Sequence, residues 1–167
     1  MKKIDVTQEN YRVLTALEKD VQLGRIIYTK WYSNSKSEIT VGNKELYTMV
    51  PKGFWQSKLE ILHGDVVVLK TETKFSGYTM SRPIDPDRPY KIKHKGFFKN
   101  GYIVVNYKDE VLLEISPNFS WRKMYPGYTI ACADTFGNDD FEKLLIMLSV
   151  HYCRNMQNAA AASATNG

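Results

Sequence analysis

Two cysteines in 167 residues, Cys132 and Cys153, are too few for a disulfide framework and lead us to expect a pair of reduced, core-packed thiols. No stretch approaches the ~20 consecutive apolar residues that a membrane-spanning helix requires. Met1-Lys2-Lys3-Ile4-Asp5-Val6 carries two lysines but no apolar stretch follows, since Thr7-Gln8-Glu9-Asn10 intervenes, so a secretory leader is not expected. The sequence also lacks a nucleophile elbow, a Gly-rich phosphate loop and a paired-His zinc motif. Its three histidines, His63, His94 and His151, stand far apart with no acidic or Cys partner at ligand spacing. Neither enzyme, metal site nor cofactor is therefore expected. A cytoplasmic protein, peripheral to a membrane at most, is.

What is present is an internal similarity. Tyr47-Thr48-Met49-Val50-Pro51-Lys52-Gly53-Phe54-Trp55 recurs 43 residues on as Tyr90-Lys91-Ile92-Lys93-His94-Lys95-Gly96-Phe97-Phe98. Each copy keeps a Tyr and then Lys-Gly-Phe-aromatic before further alternating apolar residues, as a duplicated supersecondary unit would. The glycine inside the signature can adopt positive φ or let a chain corner pack closely.

Strand signals dominate. The 11 tyrosines and 13% aromatic content suit strands more than helices. Tyr11–Thr15 followed by Val21–Tyr28 reads as a hairpin, although Tyr11, Leu14 and Leu17 also fit a helix capped by Thr7. Gly24 weighs against a longer helix there. Ser37–Val41 and Glu45–Val50 flank Gly42-Asn43, and Lys58–Leu62 and Asp65–Thr71 flank a turn at His63-Gly64. Phe75–Ser81, Tyr90–His94, Tyr102–Tyr107, Glu110–Ile115, Trp121–Met124 and Tyr128–Cys132 continue the series. Pro83, Pro86 and Pro89, with Asp85 and Asp87, predict a loop linking the two copies.

Only the C-terminal region reads as a strong helix. It opens at Gly137-Asn138-Asp139-Asp140, with Asn138 or Asp139 as N-cap, and is expected to end near Met156 or Gln157. Leu144-Leu145-Ile146-Met147-Leu148 covers its whole circumference, so the helix has no wet side and must be enclosed. Residues 1–158 are expected to form one domain, and 159–167 a low-complexity tail, either a fraying helix end or disordered.

A duplicated set of antiparallel strands followed by one apolar helix resembles the tubby-like superfamily: the tubby C-terminal domain, the phospholipid scramblases and the LURP-one-related proteins. The chain looks most similar to the small bacterial members. The resemblance runs from about Tyr11 to Met156. It is carried by the two Lys-Gly-Phe-aromatic segments, the hairpin Lys58–Thr71, Phe119-Ser120-Trp121 and Phe141–Cys153. It implies a mainly β fold: a closed antiparallel barrel of about 12 strands, built from two repeat copies, around a buried hydrophobic C-terminal helix. It also implies a non-catalytic binding role, since tubby domains hold phosphoinositide head groups with basic side chains outside the barrel. Their ligands do not map onto this chain residue by residue. The calcium-binding segment and lipid-attachment cysteines of scramblases have no counterpart here.

The candidate anionic-ligand residues follow from charge. The net charge is +5. Arg88, Lys91, Lys93, Lys95 and Lys99 fall within twelve residues that contain no acid, and the three central lysines share one face of a strand. Lys52, Lys58, Arg122 and Lys123 are candidates to extend that surface. Such a stripe attracts phosphate, which makes anionic phospholipid head groups the expected partner. The competing readings are a face that merely solubilises the barrel, and a scaffold that recognises another protein. Tyr90, Phe97 and Phe98 are assigned to core packing, so nucleic acid is not the expected partner.

Overall fold

The computed structural model describes residues 1–29, 36–53, 57–74, 77–96, 100–118 and 125–165. Twelve strands lead to one helix: β1 (Lys2–Asn10), β2 (Val13–Glu18), β3 (Val21–Tyr28), β4 (Ser37–Val41), β5 (Glu45–Lys52), β6 (Lys58–His63), β7 (Val66–Lys74), β8 (Gly77–Arg82), β9 (Asp85–His94), β10 (Tyr102–Val105), β11 (Val111–Asn118), β12 (Gly127–Cys132) and α1 (Asp140–Thr165). Each strand pairs antiparallel with its neighbours in sequence, and β12 returns to β1 to close the barrel. Closure gives every strand a neighbour on both sides.

The helix occupies the interior. Eleven consecutive residues, Leu144 to Arg154, are buried. A helix resting on an open sheet would leave every third or fourth residue wet; only strands on all sides bury a complete run. The enclosing side chains come from alternate strand positions, including Ile4 and Val6, Leu14 and Ala16, Ile39 and Val41, Leu113 and Ile115, all within 2% of full burial. Gly24 on β3 permits a close approach to the enclosed stretch, because a Cβ there would lie 2.8 Å from Met147 Cγ.

Three expectations change. The expected N-terminal hairpin is present as β2 and β3, but a further strand precedes it, since β1 begins at Lys2. The predicted proline loop is mostly strand: only Pro83 and Ile84 turn, and Pro86 and Pro89 lie within β9. β10 pairs with β9 only at residues 91–94, so Pro86 and Pro89 sit where β9 has no neighbour on that side and their missing N–H groups break no ladder. Finally, α1 continues past Gln157 to Thr165, because the alanine run is a strong helix former with no breaker before it ends. The expected strand at Trp121–Met124 lies outside the described residues. Both signature glycines adopt positive φ, 80° at Gly53 and 134° at Gly96.

Candidate functional site

The odd-numbered strands all run the same way, so Asn10, Tyr28, Lys52 and His94 mark one end of the barrel and the helix leaves through that end. On β9, Tyr90 and Ile92 face the core while Lys91 and Lys93 point outward, as period-2 geometry predicts, and Lys95 follows one residue beyond the strand's end to complete the row. The row climbs toward the open end.

Its charge is largely answered. Lys93 Nζ donates to Asp109 Oδ1 at 2.8 Å, Lys95 pairs with Glu114, and Arg88 with Asp85 at 3.6 Å. The Lys93 ammonium, through its hydrogen bond and charge and with help from Lys91, holds the Asp109 carboxyl below its ordinary range. Among the described members of the row, Lys91 alone makes no ion pair. Lys52 and Lys58 face each other across β5 and β6 and pair with Glu60 and Glu72 at 3.8 and 3.5 Å. Two strands, β7 and β8, separate them from β9, so they form a patch of their own. Lys99, Arg122 and Lys123 lie outside the described residues.

The open end carries a second feature that charge counting along strands misses. A groove of about 1170 Å³ lies between the barrel rim and the emerging helix, where Arg154, Gln157, Asn158 and Ala161 share one face of α1. Its rim includes Tyr11 and Tyr125, whose rings meet edge to face at 5.9 Å, and His94 packed on Tyr102 at 4.8 Å. The barrel itself is filled, as expected, but its mouth is not.

Arg154 dominates this mouth. The side chain is buried, its guanidinium lies 4.3 Å from the Tyr28 ring centre, and Nη2 donates to the Tyr11 carbonyl at 2.5 Å. Nη1 has no partner. No acidic residue lines the groove among the described residues. Beside it, His151 is fully buried between the Tyr28 hydroxyl, 2.9 Å from Nδ1, and Asn155, 3.1 Å from Nε2. Burial, with the Arg154 charge adding to it, lowers the His151 pKa to about 3. Desolvation pushes Tyr28 and Tyr102 up to about 12, and Tyr128, which donates to Gln157 Oε1 at 2.7 Å, higher still. These phenols are hydrogen-bonding groups rather than proton-transfer agents at neutral pH.

The remaining titratable groups are quiet. Cys132 and Cys153 are buried free thiols, both raised by desolvation, and so poor nucleophiles. His63 sits at the surface against Glu45 at 2.8 Å. Among the described residues no three His, Cys, Asp or Glu side chains gather where a metal could bind, and no helix is long and apolar enough to cross a membrane.

Fold and site together define a class: a twelve-stranded antiparallel barrel threaded by its own C-terminal helix, with a cationic, aromatic mouth where the helix leaves. No family model, curated protein or solved structure matches the chain.

Proposed function

We propose that this is a non-catalytic, tubby-like binding protein of the cytoplasm that attaches peripherally to membranes by recognising anionic phospholipid head groups. The observation that carries the reading is the row Lys91 and Lys93 on β9 with Lys95 just beyond its end, three ammonium groups leading to the rim of the open end. Their carboxylate partners are solvent-exposed, 63% at Asp109 and 44% at Glu114. Exposed ion pairs hold weakly, so lipid phosphate can displace the carboxylates at small cost. Vesicle co-sedimentation tests this. Binding should rise with acidic lipid content, fall with salt, and be lost in the Lys91, Lys93 and Lys95→Glu triple variant. Binding that ignores acidic lipid, or survives the triple reversal, refutes it.

A second reading, a protein-interaction scaffold, is favoured by the same ion pairs, which leave little net charge on that face. A stoichiometric protein partner retained by the triple variant would support it.

A further inference from the structure

The groove at the helix exit is a separate matter from the outer row, because its charge points inward. We propose that it holds a single-chain amphiphile whose anionic head, a carboxylate or phosphate monoester, pairs with Arg154 while the apolar chain lies against the emerging helix. Arg154 is 5% exposed and, among the described residues, carries its charge without a carboxylate. A guanidinium taken out of water is costly unless its donors are met, and here Nη2 is met by Tyr11 and the face by Tyr28 while Nη1, itself buried, has no hydrogen-bond partner among the described residues. An anionic oxygen is the group that completes it.

The rest of the groove sets the remainder of the ligand. Tyr11, Tyr125, Pro126, Ala160 and Ala161 give apolar walls, and amides and phenols supply the polar contacts. Among the described residues the groove has one buried cation, which matches one anionic head. About 1170 Å³, somewhat above the ordinary range of ligand sites, accommodates a long alkyl chain.

The test is displacement of a fluorescent fatty acid, 11-(dansylamino)undecanoate, from the full chain without vesicles, which keeps its outcome separate from the outer-row reading. Competitors are dodecanoate, dodecyl phosphate and dodecanol, each below its aggregation limit. At least one anionic competitor should bind about ten- to a hundredfold tighter than dodecanol, the range of a charge-assisted hydrogen bond; the tighter of the two anions identifies the head. Arg154→Met should erase that preference. Ala160→Trp, at an exposed position with Arg154 intact, should weaken every chain-bearing competitor at least tenfold, and it decides the matter if Arg154→Met does not fold. Failure of the probe to bind, equal affinity for dodecanol and both anions, a preference that persists in folded Arg154→Met, or full binding by Ala160→Trp overturns the proposal.

Discussion

The two ends of the barrel treat charge in opposite ways. Where α1 begins, polar groups find partners close by. The Glu142 amide donates to Asp139 Oδ1 at 2.7 Å, and the Gly137 and Asn138 amides donate to the Glu142 carboxylate at 2.8 and 3.1 Å. Lys143 pairs with Asp140, and Lys2, its side chain 7% exposed, pairs with Glu18. These contacts meet the orphan amides of a helix start and set acids against its positive pole. Where α1 leaves, a buried guanidinium has, among the described residues, neither an acid nor a partner for Nη1. One end is built to hold the fold; the other keeps an unmet charge beside a groove. Stability and recognition have been given different ends of one helix.

Substitutions should therefore be costly inside and at the start of α1, and cheap beyond its exit. The largest effect is expected in the enclosed stretch. Leu148→Ala removes a fully buried side chain from the middle of the core and should cost about 2–5 kcal/mol in urea unfolding. A loss below about 1 kcal/mol would mean the helix is not gripped on all sides. Next is Gly42 in the β4–β5 turn, with φ +53° and an added Cβ only 2.2 Å from Asp140 Oδ1. Gly42→Val adds backbone strain to a clash with the first turn of α1 and should cost about 1–3 kcal/mol. Stability within about 0.5 kcal/mol of the parent would show that the helix start is not seated on that turn.

The buried histidine sharpens the contrast through pH. His151 faces Tyr28, Tyr152, Asn155 and Arg154, none of them an acid. With its folded pKa near 3 and an ordinary value of 6.5, the unfolded chain binds the extra proton between those limits. Stability should thus fall as pH drops below 6.5, by up to about 1.4 kcal/mol per pH unit, and His151→Gln should flatten the profile between pH 6.5 and 5. Carboxylates titrate mostly below that window, so the parent and variant curves isolate the imidazole. Parallel curves would remove His151 as the cause.

Much of this architecture is legible in the residues, and the misses have physical reasons. The Ser37–Val41 hairpin strand shows clean alternation, and the uniformly apolar helix demands enclosure whatever surrounds it. β1 is hidden because only Ile4 and Val6 along it are buried hydrophobics, and its partner β12 lies more than a hundred residues away in sequence. Pro86 and Pro89 read as a loop because a proline's tolerance in a strand depends on whether a neighbour needs its N–H, which only the shortness of β10 reveals. The lysine row follows from period-2 spacing alone. Its neutralisation does not: Asp109 and Glu114 arrive from the other side of the β10 connection, through strand register. Arg154 is not among the residues that charge patterning singles out. The available signal was the lack of any acid between Leu144 and Asn158 to answer it.

The smallest effect is expected where the helix stands clear of the barrel. Proline in an ordinary helix interior costs about 3 kcal/mol, because it removes a hydrogen bond and clashes with the preceding turn. Ala162 is exposed, eight residues beyond Arg154, where the enclosed stretch ends. Ala162→Pro should lower helical ellipticity at 222 nm yet leave the melting temperature within about 2 °C of the parent, since a segment that opens by itself does not draw on the free energy of the core. A larger fall would mean that the emerging turns are clamped to the rim, and that the groove between them is tighter when empty than its volume suggests.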